Sequence, residues 1–265
     1  WPNVEKKQVQ YHWDNRYTQD EIEVVREDII MISQIYNMET LQEKYLDKRG
    51  IVYADIIYFP LQDFIIHEYS PIDYVEPKDR WLDLIYGGTF RSGHRQDKMI
   101  EYYFNYPENF NIQMFGNKKK TLDMRFPEFI SKKVKHREFF DRMQTSKATV
   151  TISDKLYEGC AISNRTNESI IGNVISFIDK GYDPEMRIFS DKLLRKFNYV
   201  ESKSEVIARL KYLNDNPSAF MEIIKRQYEN ATGKMSKDQY YRSFVNIVES
   251  KLENREIEEI QWFQN

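Results

Sequence analysis

Apolar residues recur along this chain with two different periods, and the alternation between them predicts an α/β frame. Short, nearly unbroken apolar runs read as strands: Asp28–Ser33, Ile51–Phe59 (ended by Pro60), Trp81–Tyr86, Asn111–Phe115, Ala148–Ile152 and Val174–Ile178. Helical spacing follows them. Thr18-Gln19-Asp20-Glu21 has the form of a capping box, and Asn37 can cap a helix to about Asp47 with Leu41 and Tyr45 on one face. Met99, Ile100, Tyr103 and Phe104 predict a helix ending near Pro107, and Glu138–Ser146 and Thr166–Ile171 two more. After Tyr199 the pattern is helical, in Ser204–Leu213, Ser218–Tyr228 and Lys237–Glu253. Residues 1–17 are polar and aromatic with no clear period.

The order of elements suggests boundaries. Residues 1–60 make one βαβ unit, about half of a doubly wound domain; 61–80, with two prolines and no period, read as a linker; 81–253 form a second α/β domain. The tail 254–265 alternates acids with Ile257, Ile260, Trp262 and Phe263 and could dock on another surface. Half a parallel sheet exposes an edge and a face. The chain starts at Trp1 rather than Met, so a missing N-terminal segment or another chain is expected to cover them.

Ligands of parallel sheets bind beyond the carboxyl ends of the strands. The loops after Tyr86, Phe115 and Ile152 are therefore the ones to inspect. The first is Gly87-Gly88-Thr89-Phe90-Arg91-Ser92-Gly93-His94-Arg95, a glycine-rich turn between a strand and a helix start. Such a turn aims backbone N–H groups and the positive end of a helix dipole at one point, where an anion is favoured. Arg91 and Arg95 add two permanently charged forks suited to phosphate oxygens. The bland alternative is a tight turn with solvated arginines. Gly88 and Gly93 have P-loop spacing, but His94-Arg95 stands where that motif needs Lys followed by Ser or Thr, which argues against an ATPase. The dinucleotide glycine fingerprint is absent as well.

Downstream, the loop after Ile152 offers Asp154, Tyr157 and Glu158, followed by Arg165 and Glu168. Arg165 and Glu168 are three apart and share a helix face. They form either a surface salt bridge worth less than about 1 kcal/mol or a nucleotide grip, with the arginine on phosphate and the carboxylate on ribose hydroxyls.

Composition narrows the chemistry. The 265 residues are 41% hydrophobic and 15% aromatic with a net charge of −3, so any nucleic-acid contact must use a local patch. Lys118-Lys119-Lys120 and Lys132-Lys133 (with Lys135 and Arg137) are such patches, or else solvated faces. One cysteine, Cys160, rules out an internal disulfide and suits a reducing, cytoplasmic setting; four scattered histidines show no metal-ligand spacing. No apolar run is long enough to predict a membrane span or a secretory leader.

Taken together these blocks resemble the DNA β-glucosyltransferases of T-even bacteriophages. The likeness begins at Trp1-Pro2-Asn3-Val4, passes through Tyr58-Phe59-Pro60, and is strongest over Ile85–Arg95. It continues at Phe115-Gly116-Asn117, Asp154-Lys155-Leu156-Tyr157, Arg165 and Glu168, then fades through the C-terminal helices. The resemblance implies a GT-B fold of two Rossmann-like domains, the N-terminal one incomplete here. It also implies transfer of glucose, with inversion, from UDP-glucose or another UDP-sugar to 5-hydroxymethylcytosine in duplex DNA, in an infected bacterial cell. By resemblance, Arg91, Arg95 and Arg165 hold the diphosphate, Glu168 the ribose and the Val134 backbone the uracil. Gly88, Thr89, Gly116, Asp154 and Tyr157 lie around the diphosphate and sugar. Three guanidinium groups can stabilise a UDP leaving group without a tightly held metal; Mg or Mn is compatible, but no protein ligands for it stand out.

The chain departs from that family in places. Thr89 stands for a Ser, His94 for a Gln, and Gln62 for a Glu near the acceptor. The family's general base lies in the segment before the position of Trp1. Three expectations follow: a DNA glycosyltransferase, a nucleotide- or DNA-binding relative that has lost the base, or a transferase of the same fold acting on another acceptor.

Overall fold

The computed structural model describes residues 8–12, 29–33, 55–56, 77–90, 92–116, 130–131, 134–155, 158, 163–186 and 188–234, with positions 242, 245, 246 and 249. The chain divides into two compact units: Trp1–Leu61 with Gly159–Ile162 and Lys234–Asn265, and Gln62–Glu158 with Ser163–Gly233.

In the first unit, β1 (Gln8–His12), β2 (Ile29–Ser33) and β3 (Asp55–Ile56) form a parallel sheet in that order. The strand expected over Asp28–Ser33 is present. The one expected over Ile51–Phe59 is described only at its centre, and β1 lies where no period was legible. The helices expected at Thr18 and Asn37, the linker through residue 76 and the tail 254–265 fall outside the described residues. Of Lys237–Glu253, Arg242, Val245, Asn246 and Glu249 are helical.

The second unit is a six-stranded parallel sheet of Rossmann type. Its strands are β4 (Leu82–Gly87), β5 (Ile112–Phe115), β6 (Ile130–Ser131), β7 (Ser146–Thr151), β8 (Ile175–Asp179) and β9 (Tyr199–Val200), ordered β6-β5-β4-β7-β8-β9. The chain runs outward from β4 to β6, then returns to start again at β7. β4 and β7 therefore flank the switch point, where the first connections diverge and leave a crevice. Leu84, Ile85, Ala148, Val150, Ile175, Phe177 and Ile178 are buried at the heart of this sheet, which is why those strands read as continuous apolar runs.

The helices are α1 (His94–Tyr103), α2 (His136–Gln144), α3 (Asn164–Ile171), α4 (Lys192–Asn198), α5 (Lys203–Asp215) and α6 (Pro217–Lys234). Several starts have a visible cause. The Ser163 side chain accepts from the Arg165 amide, Ser202 from the Glu205 amide, and Pro217 occupies the first turn of α6. Helix α2 ends at Gln144 with Thr145 as its C-cap, and β7 starts at Ser146, so the expected helix to Ser146 runs one residue into the strand. Among the described residues, no helix is long and apolar enough to cross a membrane.

At the amino edge of the sheet the buried Arg80 ties three elements together. Its Nη1 donates to the carbonyls of Ser146 and Asn173, each at 2.7 Å, and its guanidinium lies 5.0 Å from the Phe220 ring centre on α6. Nearby, Gln227 of α6 accepts from the Ser176 amide at 2.9 Å and donates to the Val174 carbonyl at 2.9 Å.

Asp191 caps α4, accepting from the amides of Leu193 at 2.8 Å and Leu194 at 3.0 Å, and pairs with Arg226 of α6 at 3.0 Å. Partial burial pushes its pKa up, but the Leu194 amide, the Arg226 side chain and the Leu193 amide outweigh it and hold the carboxyl below its ordinary 3.8. Asp191→Ala is expected to cost about 1 kcal/mol near neutral pH, the usual worth of such a cap. A lowered folded pKa means this contribution is complete above 3.8 and is lost as pH falls through the folded value. Urea unfolding of both proteins checks it: their stability difference should narrow under acid conditions, and a constant difference would contradict it.

Candidate functional site

The described candidates lie along one edge of the second unit because every strand there points the same way. Gly88, Thr89 and Arg95 follow β4, Gly116 follows β5, Val134 follows β6, and Asp154, Arg165 and Glu168 follow β7. Arg91, Tyr157, Lys118, Lys119, Lys120, Lys132 and Lys133 fall outside the described residues.

The crevice has a definite construction. β4 and β7 pair at Leu82–Ser146 and Leu84–Ala148. Above that level β4 pairs with β5, through Gly87–Phe115, and β7 with β8, through Thr151–Ile178. Tyr103 of α1 fills the parting. Its hydroxyl accepts from the Val150 amide at 2.6 Å and donates toward the Val150 carbonyl at 2.7 Å, with the Ile85 carbonyl at 3.5 Å. A phenol thus replaces a neighbouring strand as partner to the β7 backbone, and burial pushes its pKa up.

Glycines let the turn above this strut close. The Gly88 amide donates to the Phe115 carbonyl at 3.0 Å, and a Cβ built on Gly116 would stand 1.6 Å from the Gly88 carbonyl oxygen. The loops after β4 and β5 therefore touch backbone to backbone. Gly93 precedes α1 with φ of 81°, in the left-handed region that side chains rarely adopt. From there Gln96 and Asp97 amides bond back to the Gly93 carbonyl, at 2.8 and 3.1 Å, and α1 begins with its amino end at the sheet edge.

Two basic side chains stand on the first residues of α1, and carboxylates following β7 face them. The Arg95 Nη1 lies 3.9 Å from Asp154 Oδ2, with both side chains largely buried. His94 Nε2 and Glu158 Oε1 share a hydrogen bond. These contacts hold the loop after β7 against the amino end of α1. On α3, Arg165 and Glu168 are bonded to each other, the arginine half-exposed and the carboxylate more buried. The Arg165 guanidinium also lies 5.4 Å from the Phe139 ring centre.

Phe139 of α2 is a residue that sequence reasoning missed. Its ring packs edge-on to Phe115, 6.3 Å between centres, and fills the space where a Gly87 side chain would go, 2.1 Å from an ideal Cβ. It links the glycine turn, β5 and Arg165. Its only signal was one more apolar residue on a short helix, which reads as core. Val134, half-buried, is two residues before α2. Among the described residues no group of three or more His, Cys, Asp or Glu could hold a metal ion. Chemically the edge offers cationic forks over a glycine turn with a carboxylate beside them, an arrangement complementary to an anion carrying hydroxyl groups.

No family model matches the chain. A curated relative, the DNA beta-glucosyltransferase of Enterobacteria phage T4, is 27% identical over 235 residues, covering 86% of this chain and 63% of the relative. Among solved structures, T4 phage BGT in complex with UDP and Mn2+ superposes with a TM-score of 0.67 at 24% identity, covering 92% of this chain and 74% of that one. A crystal structure of the DNA-modifying enzyme beta-glucosyltransferase, with and without uridine diphosphoglucose, gives 0.69 at 24% identity, covering 91% and 73%. The structural likeness establishes the GT-B-like, Rossmann-type α/β fold. The chain spans slightly less than two thirds of the length of the curated relative.

Proposed function

From its homology to the DNA beta-glucosyltransferase of phage T4, we propose that this chain is the donor-binding portion of a UDP-sugar-dependent DNA glycosyltransferase. The observation that carries the reading is the placement of Arg95 and Arg165 on segments following β4 and β7, either side of the switch point, with the glycine turn between strand and helix. A nucleoside diphosphate needs that set: backbone N–H groups, a helix amino end and guanidinium forks.

In this reading Arg95 and Arg165, with Arg91, take the diphosphate. Glu168 turns from Arg165 to accept the ribose hydroxyls, and the backbone at Val134 meets the uracil. Gly88, Thr89 and Gly116 line the diphosphate, with Asp154 and Tyr157 nearer the sugar. The acceptor is 5-hydroxymethylcytosine in duplex DNA, with Lys118–Lys120, Lys132 and Lys133 as its phosphate contacts, in the cytoplasm of an infected bacterium. The acceptor hydroxyl oxygen attacks the sugar C1, the bond from C1 to the phosphate oxygen breaks, and configuration inverts. The hydroxyl proton passes to a base that is none of the residues named here. UDP departs with added negative charge, which fixed guanidinium groups stabilise without having to reorganise. A divalent cation, where one takes part, would arrive on the diphosphate.

Incubating the protein with labelled UDP-glucose and duplex DNA tests this. Label should pass to DNA containing 5-hydroxymethylcytosine and not to the same duplex with plain cytosine. UDP binding without transfer from any UDP-sugar would point instead to a binding relative that has lost the chemistry.

A further inference from the structure

We infer that the hydroxyl of Tyr86 is a hydrogen-bond donor to a phosphate oxygen of the bound nucleotide, a role resting on the donor-site reading above. Tyr86 is the penultimate residue of β4, and its side chain is buried at 4% exposure. Phe90 at 5.5 Å and Tyr103 at 5.2 Å between ring centres, the latter edge-on, hold its ring. A ring gripped on two sides cannot swing its hydroxyl out to solvent. Yet that hydroxyl is buried and has no hydrogen-bond partner among the described residues.

The neighbouring tyrosine shows why this matters. Tyr103, equally buried, spends its hydroxyl on the amide and carbonyl of Val150. Tyr86 spends its hydroxyl on none of the described residues. Buried polar groups are nearly always paired, and an orphan calls for a functional account.

Its position supplies one. The Tyr86 hydroxyl oxygen is 3.0 Å, and Arg95 Nη2 3.2 Å, from the point where a Cβ on Gly88 would stand. Both groups thus converge on Gly88, so closely that a side chain there would crowd them, at the foot of the glycine turn and the amino end of α1. A neutral phenol donates, a guanidinium donates, and the helix end is positive. The group that satisfies all three is an anionic oxygen, which in this site belongs to a phosphate. Gly88 accordingly does more than permit a turn: its lack of a side chain lets the phenol and the arginine stand this close together.

The test is Tyr86→Phe, measured for UDP affinity by calorimetry and for stability by urea unfolding, beside wild type and Arg95→Ala. Removing a hydroxyl that bonds a charged oxygen should weaken UDP binding about tenfold or more. Because that hydroxyl has no partner among the described residues, the unfolding midpoint should stay level or rise. A folded Tyr86→Phe protein that binds UDP as tightly as wild type overturns the inference, as does a loss of stability, which would mean the hydroxyl has a structural partner. If Arg95→Ala loses UDP while Tyr86→Phe does not, this inference alone fails. If wild type does not bind UDP, the donor-site reading fails with it.

Discussion

Arg95→Ala is expected to weaken UDP binding about 100-fold or more, the scale of removing one member of a largely buried charge pair. Three features make this side chain the most consequential in the site. It is the second residue of α1, so its charge adds to the positive end of the helix. Its side chain is only 17% exposed, so water screens a bound diphosphate from it poorly. It also closes on Gly88, with Nη2 3.2 Å from where a Cβ would stand, close to where the turn delivers its backbone groups. Loss of the guanidinium would leave a bound phosphate facing Asp154 across the crevice with less positive charge between them. Arg95→Lys should fall between, keeping the charge but not the planar fork. Calorimetry on variants shown by circular dichroism to be folded reads this directly, and unchanged affinity would remove Arg95 from the donor site.

The second large effect is expected from one methyl group. Gly116→Ala places a Cβ 1.6 Å from the Gly88 carbonyl oxygen and 2.8 Å from both the Gly88 carbonyl carbon and the Phe90 ring. Two of these three atoms are backbone, so no rotamer change relieves the clash; the turn after β4 must move away from β5. Overpacking of this kind costs about 3 kcal/mol at the upper end of its usual range, and the displaced turn carries Gly88, Thr89 and the approach to Arg95. Both thermal stability and UDP binding should therefore fall. Gly181→Ala is the matched control: its nearest neighbour is a side-chain oxygen at 3.4 Å, an ordinary contact. A Gly116→Ala protein that melts and binds like wild type would show that the turn does not depend on this approach.

The sequence made the centre of the sheet legible because buried parallel strands have no polar alternation to hide them. Leu82–Gly87, Ile112–Phe115, Ser146–Thr151 and Ile175–Asp179 lie within two residues of the expected runs. Ile130–Ser131 and Tyr199–Val200 were not legible, since two residues carry no period and become strands only through their partners. Helix α4 is hidden for a related reason: seven residues with two buried positions do not make a pattern, although Asp191 before it is a good cap. At the site, Gly88, Arg95, Asp154, Arg165 and Glu168 were legible as chemistry because glycine and charge are conspicuous among apolar runs. Phe139, Tyr86 and Tyr103 were not. Each is an aromatic residue in an apolar setting, and only the fold tells which of them is plain core, which serves the backbone and which keeps a hydroxyl unspent.

The Tyr103 strut bears on how the sheet is assembled. β4 and β7 stop pairing at Leu84 and Ala148, and the amide and carbonyl of Val150 find their partner on α1, a helix that precedes β7 in the chain by some forty residues. β7 therefore cannot finish its bonding by zipping along β4. It must wait for α1 to be seated, or leave a buried peptide unit unsatisfied. The joining of the inner strands is in this sense a tertiary event rather than a local one. The site-bearing helix is a precondition of the scaffold beneath it, so the residues that could grip a nucleotide are placed by the same step that completes the core.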